Sequence, residues 1–184
     1  MGNFYLSGTE IKDLYVIEVK RFFDTRGYFL ETFREDIFTE IGMEYHFVQD
    51  NQSLSQKGVL RGLHFQKKHP QAKLMRVIRG EIFDVAVDLR RSSETFGQWH
   101  AEILSEENNR QLLVPRGFAH GFAVLSDFAE IAYKCDEYYH PEDEGGILWN
   151  DPDIGIKWPD IGSPILSEKD RNNPTLKEAK FAFS

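Results

Sequence analysis

The sequence of 184 residues has little cysteine, no long apolar run and no excess of positive charge. Its one cysteine, Cys135, cannot form an intramolecular disulfide, so we expect a cytoplasmic protein. No stretch approaches the ~18 apolar residues of a membrane-spanning helix, and no membrane partner is expected. The net charge of −8 argues against nucleic-acid binding. Length and composition predict one domain over residues 1–184.

Helical signals are also scarce. They are limited to residues 34–41 and 175–180, whereas short runs rich in Val, Ile, Phe and Tyr recur between turn signals. These runs are DLYVIEV, KLMRVIRGEIFDVAVDL, QWHAEIL, RQLLVP, GFAHGFAVL and AEIAYKC. The pattern predicts an all-β fold, an antiparallel sandwich or barrel with a few short peripheral helices. A tight hairpin is predicted at Arg79-Gly80, between KLMRVI and EIFDVAVDL.

Acidic residues are missing from one segment, residues 58–80, which reads GVLRGLHFQKKHPQAKLMRVIRG. Basic residues and two histidines crowd into this segment of an otherwise acidic chain. A local positive patch attracts anions even where the whole surface does not. An anionic ligand, if there is one, is therefore expected to bind here.

Strand parity indicates which polar side chains point inward. Side chains alternate between the two faces of a strand, so Tyr133 shares an inward face with Ile131. By the same count His120 lies on an aromatic face with Phe118, and Lys73 begins an inward row. The barrel interior is therefore expected to carry a tyrosine, a histidine and a lysine.

Parity is less decisive in VLRGLHFQ. It places His64 on one face with Gln66, and Arg61 on the other face with Phe65. Gly62 lies between His64 and Arg61, and a β-bulge at this glycine would rotate one of them.

A metal site is one interpretation of these positions. Barrels of the cupin type often bind a metal through two neighbouring histidines, a carboxylate and a further histidine from a P-x-G-x-x-H segment, which here ends at His120. Gln66 stands where the second histidine is expected, and Lys73 stands in the region of the carboxylate. Two imidazoles are too few ligands and an ammonium repels a cation, so we expect neither a metal nor another cofactor.

Proton transfer beside a carbonyl is the other interpretation. Neutral His64 can remove a proton from a carbon next to a ketone, and Lys73 can hold the enolate oxygen that results. Protonated Tyr133 can return a proton from the opposite face, which inverts the carbon. Inward tyrosines and strand histidines are also common packing residues, and the residues alone do not decide between these roles.

The whole chain resembles one family. The segments that carry the resemblance are, in order, GYFLETF, FVQDN, GVLRGLHFQ, GEIFDVAVDLR, FGQW, PRGFAHGF, YYHPEDEGGILWNDPDIGIKWP and LSEKD. This ordered set is similar to the dTDP-4-dehydrorhamnose 3,5-epimerases of nucleotide-sugar metabolism. The resemblance implies a metal-free, cupin-type jelly-roll barrel and a homodimer whose N-terminal segment helps to complete the neighbouring active site. It also implies inversion of dTDP-4-dehydro-6-deoxy-D-glucose at C3 and C5, which gives dTDP-4-dehydro-L-rhamnose.

The resemblance also implies roles for individual residues. His64 matches the general base, Asp170 the carboxylate that orients it, Lys73 the residue near the C4 oxygen, and Tyr133 the acid. The remaining matches are residues that hold the nucleotide sugar: Arg26, Glu31, Gln49, Asn51, Arg61, His120, Tyr139, Glu144 and Lys169. Without the resemblance, Asp170 and Lys169 would be interpreted as solvated charges of a polar tail.

Three classes of function are compatible with the sequence. The first is the cofactor-free double epimerase, for which His64, Lys73, Tyr133 and Asp170 are the argument. The second is a related enzyme that inverts only C3 or C5, or moves the ketone. The third is a non-catalytic module that binds sugar nucleotides.

Overall fold

The computed structural model describes residues 2–40 and 42–183, and this part of the chain is almost entirely strand and loop. Two α-helices are short, α1 (Glu35–Glu40) and α2 (Glu168–Arg171), and a 3-10 turn covers Pro141–Asp143. The first seven strands are β1 (Phe4–Gly8), β2 (Tyr15–Val19), β3 (Phe22–Asp24), β4 (Gly27–Phe29), β5 (Gln49–Gln56), β6 (Leu60–Gln66) and β7 (Lys73–Arg79). The others are β8 (Glu81–Asp88), β9 (Trp99–Ser105), β10 (Arg110–Val114), β11 (Phe118–Val124), β12 (Phe128–Cys135) and β13 (Glu144–Gly146).

The strands form two facing sheets and a separate hairpin. One sheet has the order β1-β2-β10-β7-β12-β5, and the other has the order β13-β6-β11-β8-β9. Strands β3 and β4 pair only with each other. Every ladder between named strands is antiparallel, so the predicted all-β jelly-roll barrel is confirmed.

The predicted hairpin at Arg79-Gly80 is wrong. Strand β7 pairs with β10 and β12, whereas β8 pairs with β11 and β9, so the chain crosses from one sheet to the other at Gly80. Gly80 has a φ of +82°, and a Cβ there would lie 2.1 Å from the carbonyl oxygen of Phe128. The glycine is needed for this tight corner, which the sequence signal does not distinguish from a hairpin.

The helix predictions were half right. Helix α1 fits the prediction for residues 34–41, of which Ile41 lies outside the described residues. Residues 175–180 form a turn and not a helix, although the carboxylate of Glu178 accepts hydrogen bonds from the N–H and hydroxyl of Thr175, as at the start of a helix. The chain then continues extended and buries Phe181 and Phe183. Neither α-helix in the described ranges is long or apolar enough to cross a membrane.

Three apolar clusters surround the sheets. The barrel interior holds the cluster around Met75, Leu112, Phe118 and Ile131, and Tyr133 packs against it. A second cluster lies where the C-terminal residues cover the outer face of the five-stranded sheet. A third packs α1 and its neighbours on the outer face of the six-stranded sheet. Both outer faces of the barrel are thus partly covered, and polar side chains project inward from its wall.

Candidate active site

A cavity of about 330 Å³ opens into the barrel between the two sheets. It is large enough for the sugar of a nucleotide sugar, since ligand pockets begin at roughly 300 Å³. Seven of the residues predicted from the sequence line it: Gln49, Asn51, His64, Lys73, Tyr133, Tyr139 and Glu144. Strands of both sheets carry lining residues: β5, β7 and β12 of the six-stranded sheet, and β6 and β13 of the five-stranded sheet.

His64 forms a hydrogen bond with Asp170, which lies 106 residues further along the chain. Its Nε2 meets Oδ1 of Asp170, so Nδ1 is the ring nitrogen left to accept a proton. Asp170 is buried in helix α2, where its N–H donates to the cap residue Ser167 over 3.0 Å. Burial raises the pKa of Asp170. The hydrogen bond and charge of His64, together with hydrogen bonds from Ser167 and the Gly62 backbone, lower it by more, so the net shift is downward. The pair therefore has an ionised carboxylate that orients a histidine.

Gly62 bulges the strand that carries His64. Along β6 the partners of His120 and Phe122 are His64 and Arg61, so Gly62 and Leu63 on β6 lie opposite the single residue Gly121 on β11. Gly62 has a φ of +124°, and a Cβ there would lie 2.6 Å from the Cα of Gly121. The predicted bulge is confirmed, and simple alternation is wrong for Arg61, which faces the same side as His64.

Arg61 consequently reaches across the barrel. Its Nε donates to the hydroxyl of Ser55 on β5 over 3.1 Å, while the residue as a whole remains exposed. One donor thus anchors the guanidinium, and the exposure of the residue leaves its other donors accessible.

Lys73 is half-buried at the start of β7 and lies opposite Cys135 on β12. Burial lowers the pKa of Lys73, and electrostatic interactions with Cys135, Glu144 and Asp84 oppose that shift. In the described part of the chain its ammonium forms no ion pair, because Glu144 bonds Lys169 and Asp84 bonds His120. A cation without a direct partner in a cavity wall can serve a developing oxyanion.

Tyr133 projects from β12 into the cavity, opposite Asn51 on β5. Burial raises the pKa of Tyr133, so its hydroxyl stays protonated at neutral pH. His64 comes from the five-stranded sheet and Tyr133 from the six-stranded sheet. A ligand between them would therefore meet the histidine on one face and the phenol on the other.

His120 lies directly beside His64 on the neighbouring strand β11. It is 6% exposed, and its Nε2 is 2.8 Å from Oδ1 of Asp84 on β8. It shares a small second cavity with His64 and Lys73. The barrel therefore contains two histidine-aspartate pairs side by side.

Tyr139, Glu144 and Lys169 form one connected group at the rim. The hydroxyl of Tyr139 donates to Glu144 over 2.7 Å, and Glu144 also pairs with Lys169. The pKa of Tyr139 is raised to about 12, mainly by the hydrogen bond to Glu144 and to a smaller extent by burial. Burial raises the pKa of Glu144, but its bonds to Lys169 and Tyr139 reverse this and lower it overall.

Three glutamines hold the backbone of residues 137–140, which carry Tyr139. Gln71 donates to the carbonyl of residue 137 over 2.8 Å, and Gln49 accepts from the N–H of Tyr139 over 2.9 Å. Gln66 donates to the carbonyl of Tyr138 over 3.0 Å and accepts from the N–H of His140 over 2.6 Å. Sequence reasoning missed this clamp, because glutamine has no pattern that identifies a distant backbone partner.

Gln66 therefore has a structural task at the position where a metal-binding cupin would have a histidine. Both the NH₂ group and the oxygen of its side-chain amide are used, since Nε2 also donates to the carbonyl of His69 over 2.7 Å. The described residues contain no group of three or more His, Cys, Asp or Glu side chains suited to a metal ion.

Two of the predicted residues lie away from the cavity. Arg26 is on the β3–β4 hairpin, where its guanidinium pairs with Asp24 and is 87% exposed. Glu31 accepts a hydrogen bond from Asn3 over 2.5 Å and faces Arg34 at 3.7 Å. Within one protomer neither residue lines the cavity of His64 and Tyr133.

Comparison with known proteins identifies what this chain is similar to. Residues 8–178 match the family described as dTDP-4-dehydrorhamnose 3,5-epimerase. The enzyme of that name from Methanothermobacter thermautotrophicus is 56% identical over 180 residues, with 97% of each chain covered. The match therefore spans every residue that the site argument uses.

Solved structures agree with the sequence match. The dTDP-6-deoxy-D-glucose-3,5-epimerase from Legionella pneumophila, in complex with dTDP-4-keto-L-rhamnose, superposes with a TM-score of 0.92 at 51% identity, covering 95% of this chain and 94% of the other. A 3'-monoepimerase from Streptomyces bikiniensis, in complex with dTDP-quinovose, gives 0.86 at 36% identity, covering 92% and 86%. The chain belongs to the dTDP-4-dehydrorhamnose 3,5-epimerase family, whose members are isomerases.

Proposed function

We propose that this protein inverts C3 and C5 of dTDP-4-dehydro-6-deoxy-D-glucose to give dTDP-4-dehydro-L-rhamnose. The observation that carries the proposal is the placement of His64 and Tyr133 on opposite walls of one cavity, with Lys73 in the same cavity. A base and an acid on opposite faces of a ring invert a carbon, whereas two groups on one face would restore its configuration. The 56% identity to a relative of that activity supports the choice of substrate.

The ketone at C4 makes the protons on C3 and C5 removable. Nδ1 of His64 takes one of them, and the electron pair of the broken C–H bond moves to the C4 oxygen as an enolate. The ammonium of Lys73 stabilises that oxygen. The enolate then collapses, and its carbon takes the hydroxyl proton of Tyr133 from the other face. Proton exchange with solvent returns the imidazolium and the tyrosinate to their starting states.

Asp170 supports the base in two ways. Its carboxylate accepts the Nε2–H of His64, which keeps the proton off Nδ1, and its negative charge stabilises the imidazolium that forms. Arg61 meets the diphosphate, because a guanidinium can hold phosphate oxygens bidentately. Gln49, Asn51, His120, Tyr139, Glu144 and Lys169 surround the sugar and nucleotide.

The N-terminal hairpin belongs to the same proposal. It carries Arg26 and four exposed aromatic residues, which are Phe22, Phe23, Tyr28 and Phe29. Such an apolar projection on an acidic protein suits docking against a second copy of the chain. In a homodimer, Arg26 and Glu31 would complete the partner's site. The single buried Cys135 suits a reducing compartment, so we keep the cytoplasm as the expected location.

Solvent deuterium exchange tests the reaction. The protein is incubated with dTDP-4-dehydro-6-deoxy-D-glucose in D₂O, and deuterium incorporation is measured by NMR. We expect deuterium at both C3 and C5, and none when His64 is replaced by Ala. Tyr133→Phe should retain proton removal but lose inversion at one or both carbons. Unchanged formation of the inverted product by Tyr133→Phe would refute the assignment of Tyr133 as the acid.

The Streptomyces bikiniensis neighbour motivates the second candidate, a monoepimerase on the same barrel. Deuterium at one carbon alone would select this candidate. Normal ligand binding without any exchange would select a non-catalytic module.

Mixed dimers test the exchanged hairpin. A subunit with His64→Ala and a subunit with Arg26→Ala are each expected to have low activity. If Arg26 serves the neighbouring site, one site of the mixed dimer has both native residues and activity returns on mixing. If Arg26 serves its own protomer, both sites stay defective and mixing restores nothing.

A further inference from the structure

We propose that Asp84 is a positioning residue for the epimerisation, because its buried carboxylate is the counter-charge that keeps the Lys73 ammonium ready to hold the enolate oxygen. Asp84 lies on β8 and is fully buried. It faces the barrel interior, since its alternate neighbours Ile82 and Ala86 belong to the interior cluster.

Only one oxygen of Asp84 has a protein partner. Oδ1 accepts from Nε2 of His120 over 2.8 Å, whereas Oδ2 is buried and has no hydrogen-bond partner among the described residues. A buried carboxylate is costly unless a positive charge balances it. Among the residues that line the two cavities in the described ranges, Lys73 is the only lysine or arginine, and it shares the second cavity with His120.

The other ionisable groups around Lys73 do not supply the balancing charge. Burial raises the pKa of Cys135 to about 11, so this residue is a neutral thiol at neutral pH. The negative charge of Glu144 is paired with Lys169. Tyr133 is protonated, because burial raises its pKa.

The histidines His64 and His120 contribute no negative charge, so Asp84 remains as the counter-charge. Lys73 needs one, because burial favours its neutral amine, and a neutral amine cannot stabilise an enolate by charge. Asp84 interacts with Lys73 through space without an ion pair, which leaves the ammonium free to face the substrate. The role of the Lys73 ammonium in holding an enolate oxygen rests on the proposed function. The electrostatic pairing of Lys73 with Asp84 does not.

Asp84→Asn removes the charge and keeps an oxygen that can accept from His120. Deprotonation of Lys73 should then occur at lower pH, because a nearby negative charge favours the ammonium. We expect the alkaline limb of kcat/KM to move down by about one pH unit. Asp88→Asn is the matched control, since Asp88 is equally buried on the same strand but its charge is paired with Arg90 at 2.9 Å. An unmoved limb in Asp84→Asn, or an equal shift in Asp88→Asn, overturns the proposal.

A stability cycle tests the pairing without any activity. Lys73→Met should lower the melting temperature, because it leaves Asp84 without its counter-charge. The double variant with Asp84→Asn removes both charges and should melt no lower than Lys73→Met alone. A double variant that melts lower overturns the proposal, even where Asp84→Asn by itself does not fold. If the native protein has no epimerase activity, the proposed function is refuted, but the result of this stability cycle still stands.

Discussion

Replacement of Asp170 by Asn tests the proposed role of His64 as the base most directly. The native carboxylate accepts from Nε2 of His64, and the Gly62 backbone also acts on it. An amide has one accepting oxygen and one NH₂ group, so it cannot satisfy both donors. Where the NH₂ faces the ring, it donates to Nε2 and forces the ring proton onto Nδ1. The nitrogen that should take the substrate proton is then already protonated.

The expected loss is large for activity and modest for stability. A wrong tautomer in a comparable histidine-aspartate pair lowers kcat by about 10⁴, so we expect a loss on the order of 10³ to 10⁴. Exchange of a buried charge-assisted bond for a weaker one costs about 1–3 kcal/mol of unfolding free energy. Each kcal/mol corresponds to roughly 2–4 °C in melting temperature for a chain of this size.

The assay is deuterium incorporation at C3 and C5 under single-turnover conditions, with melting temperature measured in parallel. Asp143→Asn is the matched control, because Asp143 is also buried and bonded to a histidine, His69, that does not line the cavity. We expect the control to lose stability and to keep its exchange rate within about tenfold, since no tautomer of the base depends on it. If Asp170→Asn exchanges deuterium within tenfold of the native rate, the reasoning about the base is wrong.

Acid sensitivity gives a second measurement on the same variant. The net shift lowers the pKa of Asp170 below its usual 3.8: burial raises it, but the interactions with His64, Ser167 and Gly62 outweigh burial. A carboxylate with a depressed folded-state pKa stabilises the fold above its unfolded pKa, and this stabilisation is lost as the pH falls through the folded pKa. The native protein should therefore lose more stability than Asp170→Asn as the pH falls below 3.8.

Three further predictions follow from other parts of the site. Lys73→Ala should lower the rate by about 10² to 10³, as for loss of an oxyanion donor, and a loss below tenfold in steady-state kinetics would assign Lys73 a structural role. Gln71→Leu should raise KM several-fold and leave kcat nearly unchanged, because it frees one end of the segment that carries Tyr139; equal effects on both constants would contradict the clamp. Gly121→Ala should lower the melting temperature strongly, because the new Cβ would lie 2.6 Å from the carbonyl oxygen of Arg61, and an unchanged melting curve would show that the bulge adapts.

Local alternation is why much of the interior could be predicted. Every second side chain lies on the same face of a strand wherever the strand is regular. The inward positions of Lys73, His120 and Tyr133 therefore follow from the sequence alone. The same rule failed for Arg61, because the bulge at Gly62 adds one residue and reverses the face. The corner at Gly80 was mistaken for a hairpin for a related reason: a glycine between two strands does not say which sheet the second strand joins.

The sequence by itself determined the all-β architecture, the inward row of polar residues and, through the ordered motifs, the family. Only the tertiary structure decided which distant groups meet. Asp170 reaches His64 across 106 residues, and Asp84 reaches the interior beside His120 from a different strand. Alternation fixes the face on which a side chain lies, but its partner depends on the register between strands that are far apart in the chain. The buried oxygen of Asp84 and the three glutamines are consequences of that register, and no local pattern predicts them.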